Sequence, residues 1–82
     1  MLVEVVIYAG RGAESKGVVK AKSHDEAVQK VFANKLLYPR VDKEGDRWRV
    51  RVKAGFREVQ MYAYARKPSA EALKRYHAAE AA

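Results

Sequence analysis

Basic side chains and tyrosines recur at every second position in two neighbouring segments of the chain. The segment RWRVRVK places four cations on one side of an extended strand, namely Arg47, Arg49, Arg51 and Lys53. In the segment MYAYAR that follows, Tyr62 and Tyr64 share one side in the same way. Guanidinium and ammonium groups neutralise phosphates, and tyrosine rings stack on unpaired bases. The pattern therefore predicts a surface that binds nucleic acid.

A second group of cations stands nearer the start of the chain. In KGVVKAK, three lysines share a face that points away from Val19 and Ala21. We expect both groups to lie on the uncovered surface of one sheet, with Tyr8 among them. The predicted binding residues are Lys16, Lys20, Lys22, Arg47, Arg49, Arg51, Lys53, Tyr62 and Tyr64.

The same pattern has a simpler interpretation, which is a solvated surface. A sheet that is covered on one side needs polar residues on the other, and Arg51 opposite Glu58 would form an ordinary cross-strand ion pair. The overall charge favours a binding surface, because seventeen Lys and Arg against ten Asp and Glu give +7. Such a positive field attracts polyanions or acidic protein surfaces. The sequence leaves both interpretations open.

The first half of the chain predicts a β-hairpin followed by a helix. Residues 2–9 and 16–22 alternate as strands and are separated by the turn-forming segment GRGAES. Ser23 followed by Glu26 has the spacing of a capping box, so a helix begins there. Apolar side chains at helical spacing follow, and the helix is expected to end near Leu37, shortly before a proline.

The second half predicts another hairpin and a closing helix. Residues 48–54 alternate without interruption, and Ala54-Gly55 is expected to form a two-residue turn. That turn pairs Val50 with Val59 and keeps the cations together on one face. A serine-capped, alanine-rich helix is expected to follow the second hairpin.

The resulting order, β-β-α-β-β-α, predicts an α+β fold. We expect a four-stranded antiparallel sheet built from two β-hairpins, with both helices on one face, and residues 1–82 as one small domain. The chain contains no cysteine, which excludes a disulfide framework, a thiolate zinc site and a thiol nucleophile. His24 and His77 stand in helix ends, and no nucleophile with a base emerges. We therefore expect no catalytic site, no metal and no cofactor.

Two parts of the chain resemble known phage families. The order of hairpin, capped helix and second hairpin over residues 2–66, with AKSHDEAVQKV after the first hairpin, resembles small phage anti-CRISPR proteins. That resemblance implies a stoichiometric inhibitor of a nucleic-acid-guided complex. Residues 45–82, with GDRWRVRVKAG and SAEALKRYHAAEAA, are similar to the arm-type DNA-binding module of phage tyrosine recombinases. This second resemblance implies a sheet that inserts into the major groove.

These observations together predict a non-enzymatic, phage-type accessory protein that binds nucleic acid, DNA in preference to RNA, through its basic sheet face. The first alternative is an inhibitor that presents the same face to an acidic surface of a nucleic-acid-handling complex. The second is a structural homodimer that pairs exposed strand edges, so either a monomer or a homodimer is expected. No apolar run is long enough to cross a membrane and no leader sequence is evident. The expected location is the cytoplasm, of the host if the protein is phage-encoded.

Overall fold

A five-stranded antiparallel sheet and two helices form the protein in the computed structural model, which describes residues 1–33 and 39–81. The elements in chain order are β1 (Leu2–Ala9), a 3-10 turn (Gly10–Gly12), β2 (Ala13–Lys20), α1 (His24–Val31), β3 (Arg40–Glu44), β4 (Arg47–Ala54), β5 (Arg57–Arg66) and α2 (Ala70–Ala81). The strands lie in the order β2-β1-β5-β4-β3, and all neighbours pair antiparallel. The predicted α+β class and antiparallel sheet are confirmed. The expectation of four strands from two hairpins is wrong, because the order is β-β-α-β-β-β-α.

The additional strand, β3, lies in a segment whose sequence indicated only a polar connection. Its five residues pair with β4 along their whole length, with Val41 opposite Val50. Val41 is the one apolar residue of β3, so the strand has almost no hydrophobic signal of its own. It forms because β4 offers an edge to pair with, and because Gly45, at a φ of 62°, makes the tight turn between the two strands.

The hairpin between β4 and β5 turns one residue later than expected. Ala54 pairs with Arg57, so Gly55 and Phe56 form the two-residue turn. Gly55 has a φ of 65°. The first position of a tight hairpin turn needs a positive φ, which glycine adopts freely and alanine adopts only at a cost in free energy. The predicted turn would have placed Ala54 at that position.

The later turn shifts the cross-strand partners in this hairpin by two positions. Arg51 lies opposite Gln60 rather than opposite Glu58, which pairs with Lys53. Because side chains alternate with a period of two, an even shift leaves every side chain on its predicted face. The predicted register is therefore wrong, whereas the predicted separation of apolar and basic side chains on β4 is observed.

One face of the sheet packs against α1 and is called here the covered face. The buried side chains of this core are Val3, Val5, Ala21, Ala27, Val28, Trp48, Val50, Val52 and Ala63. The indole Nε1–H of Trp48 donates a hydrogen bond to Asp25 Oδ1 at 2.9 Å. This bond satisfies the polar atom of a buried ring and fixes the first turn of α1 over the sheet.

Helix α1 begins as predicted. The Oγ of Ser23 accepts a hydrogen bond from the backbone N–H of Glu26 at 3.1 Å, which is one half of the predicted capping box. The carboxylate of Glu26 lies 3.2 Å from Lys30 Nζ, one turn further along. The helix ends at Val31. The predicted end at Leu37 lies outside the described residues.

Helix α2 packs against the opposite face of the sheet, called here the open face, so the expectation that both helices share one face is wrong. Glu4 points to that face and is buried against the start of α2, where Ala72 is also buried. The backbone N–H of Ser69 interacts favourably with the Glu4 carboxylate. A carboxylate near the positive end of a helix is stabilising, which explains why α2 starts on this face. No helix within residues 1–33 and 39–81 is long and apolar enough to cross a membrane.

Candidate nucleic-acid interface

The open face carries a row of side chains that crosses all five strands. From β2 to β3, cross-strand pairing places side by side Glu14, Tyr8, Tyr62, Arg49 and Asp42. Adjacent strands lie roughly 4.8 Å apart, so neighbours in the row are close enough to interact. Tyrosines occupy the middle of the row, and charged residues occupy both flanks.

The open face brings together all of the predicted binding residues except Lys22. Those on it are Lys16 and Lys20 of β2, Arg47, Arg49, Arg51 and Lys53 of β4, and Tyr62 and Tyr64 of β5. Lys22 lies beyond the end of β2, in the connection to α1. Because β1 and β5 separate β2 from β4, the cations flank the tyrosines on two sides.

A shallow groove follows the tyrosines. It has a volume of about 540 Å³, and the side chains that line it include Val6, Tyr8, Asp46, Tyr62, Tyr64 and Arg66. The rings of Tyr8 and Tyr64 meet edge to face, with centroids 5.5 Å apart and an interplanar angle of 85°. Val6 is buried, whereas Tyr8 is exposed. Rings that are held by packing yet reached by solvent offer a ready surface for stacking.

Carboxylates of β3 partly neutralise the basic row of β4, which consists of Arg47, Arg49, Arg51 and Lys53. Glu44 lies 2.9 Å from the guanidinium of Arg49 and 3.9 Å from that of Arg47. Asp42 lies 3.4 Å from Arg51. About a third or more of each of these side chains is exposed. Exposed ion pairs contribute only about 0 to 1 kcal/mol, so a phosphate can replace these carboxylates at a small cost.

The ion pairs also leave two arginine N–H donors without a hydrogen bond. The Nε–H groups of Arg49 and Arg51 are inaccessible to solvent, and no acceptor within residues 1–33 and 39–81 forms a hydrogen bond with them. An unpaired buried donor costs about 1 to 3 kcal/mol. The observed positions of both guanidinium groups are therefore ones that a better acceptor can displace.

Arg47 connects the basic row to the tyrosines. Its guanidinium carbon lies 4.1 Å from the ring centroid of Tyr62, which is a cation–π contact. Hydrogen bonding with Tyr64 raises the pKa of Arg47 above its ordinary value, so the side chain stays charged. The guanidinium covers part of the Tyr62 ring, and a base that stacks there has to displace it.

The other end of the open face carries an ion pair whose carboxylate is buried under α2, whereas its arginine is half exposed. Arg66 Nε lies 3.0 Å from Glu4 Oε1, and the Glu4 side chain is 1% exposed. The hydrogen bond from Arg66 lowers the pKa of Glu4 below its ordinary value, although burial alone would raise it. The Glu4 carboxylate is therefore not free to meet a ligand, whereas the exposed side of Arg66 lines the groove.

Several side chains of the interface were not predicted. Arg66 continues the alternation of the two tyrosines on β5, so the period of two could have identified it. Asp42 and Glu44 gave no comparable signal, because the strand that carries them has one apolar residue. Asp46 reaches the groove from the turn between β3 and β4, and no periodicity predicts the position of a turn residue.

Comparison of the chain with protein-family models, with curated proteins and with solved structures finds no match. The resemblances to phage anti-CRISPR proteins and to the recombinase arm-type module therefore stay predictions.

Proposed function

We propose that this protein binds single-stranded nucleic acid on its open face, as a non-enzymatic accessory protein of the cytoplasm. Tyr62, Tyr64 and Tyr8 stack on bases in the groove. The basic row on one side and Lys16 on the other hold the phosphates. DNA is the expected partner in preference to RNA, and the phage-type origin remains part of the same prediction.

The observation that supports this proposal most directly is the position of the three tyrosines. They lie on the two neighbouring strands β1 and β5, in one groove, with the basic row on one flank and, on the other, Lys16 in a 3.0 Å ion pair with Glu14. A merely solvated face needs polar residues, but it has no need of aromatic rings gathered at its centre. Base stacking on an aromatic side chain contributes about 1 to 3 kcal/mol per base and requires bases that are not paired. The groove therefore favours a single strand over a duplex.

The charge of the open face agrees with a polyanionic partner. Cations on the face outnumber carboxylates, even when the β3 carboxylates and the Glu4 pair are counted. The ion pairs of the basic row are exposed and imperfect, so phosphates can compete for the same guanidinium groups. Release of condensed counterions then adds a favourable, salt-dependent contribution to binding.

A second candidate function is the binding of an acidic protein surface, as expected for a stoichiometric inhibitor. One observation favours it: Arg47, Arg49 and Arg51 already bind carboxylates within the chain. An external Asp or Glu could take the places of Asp42 and Glu44. A homodimer that pairs β2 or β3 edges is a third candidate. A mass measurement across protein concentration tests it, because a persistent monomer removes it.

The test is fluorescence anisotropy of labelled single-stranded DNA, single-stranded RNA and duplex DNA of equal length, at several salt concentrations. We expect tighter binding of the single strands and a roughly tenfold loss of affinity in Tyr62→Ala, from the lost stacking. Tyr62→Phe is the matched control, because it keeps the ring. The double variant Arg49→Ala/Arg51→Ala should lose two phosphate contacts. Because each contact to a single strand contributes about 0.7 to the steepness of log affinity against log salt, the slope should become shallower by about 1.4.

Lys43→Ala is the control for charge. Lys43 belongs to β3 but lies over Trp48, on the other side of the sheet from the basic row, and its removal lowers the net charge without touching the groove. The Lys43→Ala variant should bind single strands with an affinity close to that of the unmodified protein. An absence of binding to every probe at low salt would overturn the proposal. Equal affinity for duplex and single strand, unaffected by Tyr62→Ala, would overturn the stacking mechanism.

A further inference from the structure

The tip of the β4–β5 hairpin exposes a phenylalanine that the fold does not use. Phe56 is fully exposed, and the residues from Gly55 to Gln60 are exposed as well. Tight turns favour residues such as Gly, Asn and Asp. The conformation of the turn therefore does not explain a large apolar ring at this position. Val59, also exposed, extends the apolar surface to the neighbouring part of β5. Folding gains little from this ring, which points to a role in contact with another molecule.

The charges around the tip identify the chemistry of that molecule. Lys53 and Arg57 stand on either side of the turn, on opposite faces of the hairpin. The carboxylate of Glu58 lies 3.9 Å from Arg51 Nε and is thus partly compensated. An aromatic ring between cations fits a ligand that carries both flat apolar rings and negative charge. Nucleic acid has both, and the basic row leads along β4 directly to the tip.

We propose that Phe56 is a further stacking contact for the same nucleic acid, at the far end of the basic row from the tyrosine groove. This inference rests on the proposed function and extends it by defining the path of the strand. The nucleic acid runs from the groove along Arg49, Arg51 and Lys53, and its last bound base stacks on Phe56. A tight two-residue turn carries the ring at the tip, where Gly55 accommodates the positive φ of 65° that the turn needs.

The proposed path has a defined length. Tyr62 stands five positions beyond Arg57 in β5, Arg57 lies next to Phe56, and a strand rises by roughly 3.4 Å per residue. The two stacking positions are therefore roughly 17 Å or more apart. A short oligonucleotide reaches the tyrosine groove or the tip, but not both. A longer one reaches both, so the contribution of Phe56 depends on the length of the ligand.

The test measures anisotropy for labelled oligodeoxythymidylates, from a dinucleotide that is shorter than the path up to about 16 nucleotides, the upper end of known single-strand site sizes. Phe56→Ala should weaken binding of the longest ligand about tenfold and leave that of the shortest unchanged. Phe56→Trp keeps an aromatic ring and should retain the affinity of the unmodified protein. Its exposed indole should be quenched by the long ligand, whereas buried Trp48 in the unmodified protein provides the reference emission. Thermal unfolding checks that both variants fold.

Each outcome separates this inference from the proposed function. Equal binding by Phe56→Ala at every length, with a loss in Tyr62→Ala, would overturn the role of Phe56 and leave the tyrosine groove intact. No binding by the unmodified protein would overturn both. An indole that responds to anionic lipid vesicles or to an acidic peptide, and not to oligonucleotides, would also overturn the inference, because the tip would then serve a different partner.

Discussion

The two ends of the open face contain the same kind of ion pair in two different environments. Under α2, Arg66 Nε lies 3.0 Å from Glu4 Oε1. On the free part of the sheet, Arg49 Nη2 lies 2.9 Å from Glu44 Oε2. The distances are nearly equal, but the Glu4 side chain is 1% exposed and the Glu44 side chain is 34% exposed. Both arginines are exposed, so the difference lies in the carboxylates: Glu4 is on the inner strand β1 beneath α2, and Glu44 is on the edge strand β3.

Burial of the carboxylate, rather than the distance between the charges, decides what each ion pair does. A buried carboxylate has lost its water and depends on its hydrogen bonds, so removing a partner is costly. An exposed carboxylate can return to water when its arginine moves away, so the pair stabilises the fold only slightly. At one end of the face the pair joins β1 to β5 beneath α2, and at the other it keeps arginines near the surface and available to a ligand.

The largest effect is expected from the covered end. Glu4→Ala removes the hydrogen bond from Arg66 and leaves the backbone N–H of Ser69 without its carboxylate partner. We expect the free energy of unfolding to fall by about 2 kcal/mol, within the range for hydrogen bonds to charged groups. Urea unfolding measures this loss of stability. The matched control is Glu44→Ala, for which we expect the free energy of unfolding to fall by about 0.5 kcal/mol or less. Similar losses in both variants would show that burial of the carboxylate does not set the difference.

The pH dependence of stability should have the same origin. The folded pKa of Glu4 is lowered, so its contribution to stability is present above the unfolded pKa of about 4.3 and is lost as pH falls through the folded value. The unmodified protein should therefore lose stability below about pH 4.3 faster than Glu4→Gln, which cannot titrate at this position. Unfolding in urea from pH 6 to pH 3 measures the difference between the two curves. Parallel curves would contradict a lowered pKa.

Much of the fold follows from local patterns in the sequence. Alternation on β1, β4 and β5 assigns each side chain to its face, and Ser23 marks the start of α1 through the hydrogen bond it accepts. These patterns report short-range chemistry, namely the period of two and the cap of a helix. They are sufficient to place the basic row, Tyr62 and Tyr64 on one face of a hairpin.

What the sequence did not predict depends on contacts between distant segments. Pairing of β1 with β5, which joins Tyr8 to Tyr62, brings together residues far apart in the chain, and no local pattern specifies it. Strand β3 forms on the edge of β4 with little apolar content of its own. The side of the sheet chosen by α2 depends on Glu4, whose burial is invisible in an alternating strand. The carboxylates that face the basic row were missed for the same reason.

The smallest effect on stability should accompany a clear effect on binding, at the exposed end of the face. Glu44→Gln removes the carboxylate that competes for Arg47 and Arg49 while keeping the size and shape of the side chain. Stability should change by no more than about 0.5 kcal/mol, because the pairs are exposed. Affinity for a single-stranded oligonucleotide should rise about two- to fivefold, the equivalent of an exposed ion pair that no longer has to be broken.

Anisotropy and urea unfolding on the same samples measure both quantities, and Glu26→Gln, on α1, controls for the change in net charge. An affinity that rises equally in both variants would mean that only the total charge matters. An affinity that falls in Glu44→Gln would mean that Glu44 positions the arginines for the ligand rather than competing with it.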